Sequence, residues 1–319
     1  MILRILLLAS GFAVLSILLT PWVGPGGLSP DLVLAGDALE RRIFIEFRLS
    51  RTLLAILAGG ALSLAGCLFQ AMLRNSLATP YTLGVSGGAA LGAVLLICLG
   101  VPFVWMGALA GALAVLLLVL GFASQRQTLS AHALILAGVA IHSVCSALIM
   151  LIHNFAGFTQ AFSTIVWLTG AVDGISLSRL GPLAIAVLSV SVLIVWQAPA
   201  WNLLAVGDQW AAARGAHVRK LMIGGYLAGS LLTAATVSLT GPIGFVGLLV
   251  PHMVRQITGP DHRLLMPCSL LFGGSFLAIC DAVGRTILAP ADIPVGVITA
   301  LLGGPGLVWI LRSQNARSA

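Results

Sequence analysis

The sequence contains very little charge. Asp, Glu, Lys and Arg make up 8% of its 319 residues, whereas an average soluble domain has about 25%. Lysine occurs once, at position 220. Because so few charges cannot cover a soluble globule, that class is excluded. Hydrophobic residues make up 59% of the chain and the mean hydropathy is positive, which predicts a polytopic membrane protein.

Catalytic and metal-binding signatures are missing as well. Arg219, not glycine, precedes the single lysine, which excludes a Walker A phosphate-binding loop. No HExxH, CxxC or GxSxG motif occurs. Five cysteines stand singly in apolar surroundings and are predicted to be small core residues. They are Cys67, Cys98, Cys145, Cys268 and Cys280. We therefore predict no catalytic residue, no metal site and no cofactor.

Apolar windows long enough to cross about 30 Å of hydrocarbon recur along the whole chain. The predicted spans are 3–21, 51–72, 82–100, 103–123, 132–153, 180–199, 221–239, 243–257, 265–281 and 294–311. Gly and Pro interrupt the windows at 82–123 and 243–281, where broken or re-entrant helices are the alternative. The first window resembles a signal peptide, but no small-x-small cleavage site follows it before "TPW", so we keep it as a span. One transmembrane domain is expected over residues 1–319.

The basic residues predict the orientation of these ten spans. An even number of spans puts both termini on one side, and a cytoplasmic N-terminus gives the excess of inner Lys and Arg that the positive-inside rule requires. The inner residues are Arg4, Arg74, Arg126, Arg214, Arg219, Lys220, Arg255, Arg263, Arg312 and Arg317. The outer residues are Arg41, Arg42, Arg48, Arg51, Arg179 and Arg285. The net charge of +7 then belongs to the inner face, and it requires no nucleic-acid partner.

The stretch "GDQWAAARGAHVRK" is a polar run on the predicted cytoplasmic side, between the sixth and seventh spans. Gly207 and Gly215 bracket it, the three alanines favour a helix, and Asp208 is expected to cap that helix. Trp210 provides an apolar anchor and Arg214 a basic edge. From the pattern alone, an ordinary solvated loop and a docking helix for a cytoplasmic partner are both open.

Four segments carry a resemblance to a known family. They are "RLSRTLLAILAGGALSLAGCLFQAMLRNSLATPYTLGVSGGA", "LAVGDQWAAARGAHVRKL", "GPIGFVGLLVPHMVR" and "DIPVGVITALLGGP". In order and spacing, from about Glu46 to Leu311, they resemble the FecCD family. Its members are the membrane subunits of ATP-binding-cassette (ABC) importers for ferric siderophores, haem and cobalamin. The resemblance implies an all-α polytopic membrane protein with about ten transmembrane helices and type II ABC importer permease architecture.

The same resemblance implies the partners and the location. A second permease subunit, identical or paralogous, would complete a dimer with the translocation path at its interface. Two cytoplasmic ABC ATPase subunits and a periplasmic substrate-binding protein would join it. The chain itself would lie among the lipids of the bacterial inner membrane, with both termini cytoplasmic.

The resemblance also implies roles for particular residues. The loop at about 201–220 would contain the coupling helix that sits in a cleft of each ATPase, with Gly207, Asp208, Trp210, Ala211, Arg214 and Gly215 as its coupling residues. Arg214 stands where the family commonly has an apolar residue. On the outer side, Arg48, Arg51 and Arg285 match positions whose arginines pair with acidic residues on the two lobes of the binding protein. Without the family, Arg48 and Arg51 would be interpreted as anchors at the membrane interface.

Two stripes of residues relate to packing and to the path. Gly84, Gly88 and Gly92 repeat every four positions, which predicts close helix packing. The family places this region, which includes Ser86, near the cytoplasmic end of the path. Three histidines of the fifth span fall within about 80° of one another on a helix. They are His132, His142 and His153. One interpretation is that they ligate haem or relay protons. The other is that they line the translocation path without ligating anything, and the resemblance favours this second role for His142.

His252 and His262 are interpreted as structure at the cytoplasmic face, because their separation fits no standard metal-ligand spacing.

The expected function is ATP-driven import of an iron chelate by alternating access, with ferric siderophore first and haem or cobalamin as alternatives. An ion-coupled secondary transporter is the rival. It would place carboxylates near the bilayer midplane, whereas the acidic residues here fall at predicted loops or span ends.

Overall fold

The chain is helical throughout the part that the structure describes. The structure is a computed structural model, and it describes residues 2–26, 30–124 and 130–318, so Arg126 of the charge analysis lies outside the described residues. No strand occurs in these ranges. Seven helices within them are long and apolar enough to cross a membrane. An all-α polytopic membrane protein, as predicted, is confirmed.

The described helices have the following bounds. They are α1 (Ile2–Leu19), α2 (Pro30–Ala35), α3 (Ala38–Arg42), α4 (Ser50–Leu73), α5 (Val85–Cys98), α6 (Val104–Ser124), α7 (Ala131–Phe155), α8 (Phe158–Leu168), α9 (Leu177–Trp196), α10 (Ala198–Val206), α11 (Asp208–Ala213), α12 (Val218–Thr240), α13 (Val246–Thr258), α14 (His262–Ile287) and α15 (Val295–Ser318). A 3₁₀ turn (Thr20–Trp22) follows α1, and a π-helical turn (Ile43–Leu49) joins α3 to α4.

Each of the ten predicted windows coincides with a helix, namely α1, α4, α5, α6, α7, α9, α12, α13, α14 and α15. The two shortest of these are α5, with 14 residues, and α13, with 13. Both lie where Gly and Pro had indicated broken helices. Helix α8 lies between the fifth and sixth windows, where no span was predicted. The five cysteines are free, and four of them are buried.

Helix α4 forms the centre of the bundle and is buried along almost its whole length. Small residues bring its neighbours close. A methyl group added at Gly59 would collide with the backbone of Gly273 in α14, and one added at Gly66 would collide with the backbone of Gly247 in α13. Such contacts allow helix backbones to approach closely within a membrane.

The glycine stripe of α5 packs as predicted. Gly88 lies against Gly111 of α6, and Gly92 lies against Gly107, in each case so closely that a methyl group would collide with the facing carbonyl. The packing interpretation of this stripe is therefore confirmed for Gly88 and Gly92.

Gly92→Ala is expected to lower the thermal unfolding midpoint of the purified protein, because the added methyl group would force α5 and α6 apart. Gly121→Ala is the matched control. Gly121 lies in α6 with open space at its Cβ position, so alanine there gains up to about 1 kcal/mol of helix propensity without a clash. A midpoint that falls equally in both variants would contradict the packing of these two helices.

The ends of α4 define the two ends of the molecule. Its 24 residues span about 36 Å at 1.5 Å per residue. Arg51 lies at one end and Arg74 at the other. Helix α12 runs antiparallel to α4, since Gly225 and Gly229 face Met72 and Phe69 respectively. We call these ends the Arg51 end, predicted to be outside, and the Arg74 end, predicted to be cytoplasmic.

Candidate functional site

At the Arg74 end, α10 and α11 form a helical hairpin joined by Gly207. Helix α11 is stopped by a Schellman motif. The N–H groups of Gly215 and Ala216 donate to the carbonyls of Ala212 and Ala211, at 2.9 and 3.0 Å. Gly215 has a φ of +81°, a left-handed conformation that glycine adopts at little cost. The predicted short helix is confirmed, and its end is fixed by local hydrogen bonds.

The exposed side of α11 presents an aromatic and a cationic group together. Trp210 is 48% exposed, and the guanidinium carbon of Arg214 lies 4.5 Å from the centroid of the Trp210 ring. Ala211 is fully buried and forms the side that packs on the bundle. An arginine stacked on a tryptophan combines apolar area with positive charge, so this surface suits a partner with an apolar cleft and acidic groups.

The predicted capping role of Asp208 was wrong. Gly207 occupies the cap position, and no side chain caps the helix. The Asp208 carboxylate instead accepts a hydrogen bond from the Arg74 guanidinium, at 3.2 Å. Arg74 follows the last turn of α4, so this ion pair ties α11 to the central helix. Both side chains are exposed, which limits the contribution of the pair to stability to about 1 kcal/mol or less.

A second tether holds α10, and the sequence analysis had not identified it. The Asn202 side chain donates to the Asp261 carboxylate, at 2.7 Å, and accepts from the backbone N–H of His262, at 2.9 Å. Asp261 also caps α14 by accepting from the backbone N–H of Arg263. That backbone hydrogen bond and the one from Asn202 lower the pKa of Asp261. His262 is thus structural at this end, as predicted.

Trp201 completes the attachment of the hairpin. Its ring is buried and its Nε1–H donates to the carbonyl of Ile194 in α9, at 2.9 Å. Helices α9, α10, α11, α4 and α14 are therefore joined near the Arg74 end. A displacement of α11 would be transmitted to them, because hydrogen bonds and a buried ring leave it little freedom to move alone.

At the Arg51 end, a buried carboxylate joins two arginines. Asp281 of α14 is only 1% exposed, and it pairs with Arg51 and Arg285, each with an N–O distance of 3.0 Å. Arg51 also bonds Asp292, at 2.8 Å. The sequence had placed Asp281 at a span end, whereas the structure places it inside α14. A buried carboxylate paired on both sides is a strong constraint on the packing of α4 against α14.

The three arginines predicted to dock a binding protein lie at this end, but two are buried. Arg48 is 8% exposed and donates to the carbonyl of Pro25, at 2.6 Å; Arg285 is 3% exposed and donates to the carbonyl of Thr20, at 3.3 Å. The Arg51 side chain is 17% exposed. The docking role stays a prediction, and the groups nearest the surface are Arg51 and its partner Asp292, which is 46% exposed.

A cavity of about 490 Å³ opens between α5, α7 and α8. His142 and His153 of α7 line it, together with Ser86 of α5 and Thr164 of α8. The hydroxyls of Ser86 and Thr164 are buried, with no hydrogen-bond partner among the described residues. Gly87 makes room for His142, since a methyl group there would lie 2.5 Å from the imidazole Nδ1.

This cavity contains two of the three predicted path residues. His142 and Ser86 line it, while Gly84 does not and lies instead against the backbone of Gly138 in α7. Gly84 begins α5 with a φ of +81°, so its role is in backbone geometry and packing. His132 of the histidine stripe is absent from the lining. No group of three metal-ligating side chains occurs among the residues searched, residues 2–26, 30–124 and 130–318.

Comparison with known proteins finds relatives along almost the whole chain. The FecCD transport family matches residues 6–313. The chain is 37% identical over 319 residues to the vitamin B12 import system permease of Salmonella newport, covering 97% of this chain and 94% of the relative. It is 36% identical over 285 residues to the hemin transport system permease of Yersinia pestis, covering 86% and 85%. It is 39% identical over 289 residues to an uncharacterized ABC transporter permease of Bacillus subtilis, covering 88% and 81%.

A solved structure extends the likeness to three dimensions. An ABC transporter assigned to the metal-chelate type, in an inward-facing conformation, superposes with a TM-score of 0.87 at 28% identity and covers 98% of this chain and 99% of its own. With a family match over almost the entire length, the chain belongs to the FecCD transport family, whose related members are permease subunits of ABC transporters.

Proposed function

We propose that this chain is the non-catalytic membrane subunit of an ABC importer that moves a metal chelate inward, with a ferric siderophore as the first candidate. The observation that carries the proposal is the family match over residues 6–313. Two of the three relatives are permeases for hemin and vitamin B12, and the structural neighbour is assigned to the metal-chelate type. All three solutes are bulky complexes of a metal with an organic ligand, so haem and cobalamin are the alternative substrates.

The Arg74 end is proposed to face the cytoplasm and to receive two ABC ATPase subunits. The α10–α11 hairpin supports this role, because it presents Trp210 and Arg214 outward while Asn202 and Asp208 tie it to other helices. ATP hydrolysis would occur in the separate ATPases, and α11 would transmit their motion to the bundle. Both chain termini then lie on the cytoplasmic side.

The cavity beside His142 is proposed as part of the translocation path. The surface that the wall presents to the cavity is mostly apolar, which suits a bulky solute that must pass without tight binding. A path that held its solute strongly would slow release, so His142 and the unpartnered hydroxyls serve as weak contacts and not as metal ligands. A second permease subunit, identical or paralogous, is proposed to close the path.

The Arg51 end is proposed to face the periplasm and the substrate-binding protein. Arg51 is the most exposed of the three proposed docking arginines. Asp292 already pairs with one side of its guanidinium. A carboxylate of the binding protein would therefore have to compete with Asp292 for Arg51. Arg48 and Arg285 would support this contact through their positive charge and by holding the outer ends of the helices together.

Asp292→Asn is expected to tighten docking of the purified binding protein about two- to fivefold, which is the range that loss of one competing exposed ion pair allows. The dissociation constant is measured on permease in nanodiscs. Glu46→Gln removes an acidic charge at the same end without touching Arg51, so it controls for general electrostatics. Equal effects of the two variants, or weaker docking of Asp292→Asn, would refute competition at Arg51.

The function is tested by uptake into proteoliposomes that contain this chain, its co-purified ATPase and the matching binding protein. Ferric siderophore, haem and cobalamin are compared with ATP inside. We expect ATP-dependent uptake of the siderophore. Uptake of haem or cobalamin alone would replace the substrate assignment and keep the importer. A chain that takes up no metal chelate although the complex assembles would refute the proposed substrate class.

A further inference from the structure

A groove of about 340 Å³ lies between α6, α9 and α12 and belongs to none of the sites described above. The groove contains the first turns of α6 and α9 and the last turns of α12. Because α12 runs antiparallel to α4, its last turns lie at the Arg51 end, and the groove lies there too. Trp105 of α6 and Arg179 of α9 form its rim. Ser178 also faces it.

The rim is a set of hydrogen-bond donors around a positive charge. The guanidinium carbon of Arg179 lies 5.9 Å from the centroid of the Trp105 ring. Among the described residues no carboxylate lies within 4 Å of Arg179, whereas Arg42, Arg51 and Arg285 at the same end are all ion-paired. The indole Nε1–H of Trp105 is buried and has no partner in the described chain.

The N-terminus of α9 adds to the positive electrostatic potential at the rim. Ser178 and Arg179 lie in its first turn, where the helix dipole favours an anion. Arginine and indole N–H groups are donors with no acceptor capacity. The rim therefore lacks one component, an anionic acceptor such as a phosphate oxygen.

The floor of the groove is apolar and follows the helices inward. Leu183 and Ala186 lie one and two turns beyond Arg179 on the same face of α9, and Leu109 lies one turn beyond Trp105 on α6. Pro182 and Ala186, which line the groove, are exposed. In a membrane these exposed apolar surfaces contact lipid, so the groove opens on the bilayer.

We propose that this groove is a binding site for one phospholipid of the outer leaflet. Its phosphate would accept hydrogen bonds from the Arg179 guanidinium and the Trp105 Nε1–H, and one acyl chain would lie along Leu109 and Leu183. A free phosphate would leave the apolar floor unused, and a purely apolar lipid would leave the arginine and the indole donor without an acceptor. The combination of the two surfaces therefore selects a phospholipid.

The test is native mass spectrometry of the delipidated permease–ATPase complex in detergent, titrated with dioleoyl phosphatidylglycerol. We expect a tightly bound lipid at each permease chain. Arg179→Gln and Trp105→Phe are each expected to weaken this binding about tenfold, since the second keeps the ring and removes only the donor. Arg41→Gln changes another exposed arginine at the same end and is expected to leave the affinity unchanged. Equal unfolding temperatures of the variants would show that the fold is intact.

Two further ligands distinguish the sources of binding. Dioleoylglycerol has the same acyl chains without phosphate, and inorganic phosphate has the anion without chains. Weak binding of both supports the site. Dioleoylglycerol binding as tightly as the phospholipid, phosphate displacing the lipid at equal concentration, or unchanged lipid affinity of Arg179→Gln would each overturn the proposal. The test does not involve transport, so it stands apart from the proposed function.

Discussion

Replacing Asp281 with alanine is expected to destabilise the folded protein by about 3–5 kcal/mol, the cost of removing one partner from a buried charge network. Asp281 is the carboxylate that Arg51 and Arg285 share. Arg285 is almost wholly buried, and its only other described hydrogen bonds go to backbone carbonyls. Alanine would leave its positive charge without a counterion in a medium that solvates it poorly.

The change is measured as the unfolding free energy of the purified protein in mixed detergent micelles. Glu46→Gln is the matched control, because its partner Arg42 forms an exposed pair, and such a pair is worth about 1 kcal/mol or less. Asp292→Ala, at the exposed edge of the network, is expected to fall between the two. If Asp281→Ala were no more destabilising than Glu46→Gln, the network would not hold α4 and α14 together.

Trp210→Ala combined with Arg214→Glu is expected to lower ATP-dependent uptake about 30-fold, equivalent to about 2 kcal/mol lost at an interface hot spot. The two residues form the stacked pair on the outward side of α11. Ala211, the Schellman motif and the Asn202 tether remain, so the hairpin is expected to keep its place. The ATPase subunit would lose an apolar anchor and meet a repulsive charge instead of an attractive one.

Uptake is measured in proteoliposomes together with the thermal unfolding midpoint of the permease. Trp196→Ala removes another exposed tryptophan, at the end of α9 and outside the hairpin, and is expected to retain most of the uptake. Unchanged uptake in the double variant would remove α11 from the coupling mechanism. A fall in the unfolding midpoint of the double variant would show that Trp210 and Arg214 support the fold instead.

The spanning helices could be predicted from the sequence because each must present a long apolar stretch to the membrane. The short helices could not be predicted in the same way. Helix α8 has 11 residues, too few to cross a bilayer, and its segment falls between two predicted windows. Helix α10 begins with an alanine and a proline directly after α9, so its residues were divided between a span and a loop.

The polar contacts were harder to predict, because they join residues far apart in the chain. Arg51 and Asp281 are separated by 230 positions. A sequence does not show whether an arginine binds another protein or forms an ion pair within its own fold. Local rules predict that Asp208 caps α11, but its carboxylate instead pairs with Arg74, which follows α4. Asp261, in contrast, does cap the next helix, and an aspartate after "GP" was a signal available in the sequence.

The energy source of transport shows whether this chain is the membrane part of an ATP-driven importer. Uptake of the cognate chelate is measured in proteoliposomes with ATP inside, with a hydrolysis-deficient ATPase variant, and with an imposed proton or sodium gradient in the absence of the ATPase. We expect uptake only with ATP and the active ATPase. Uptake driven by an ion gradient in liposomes that contain the permease alone would contradict it and place the chain among secondary transporters.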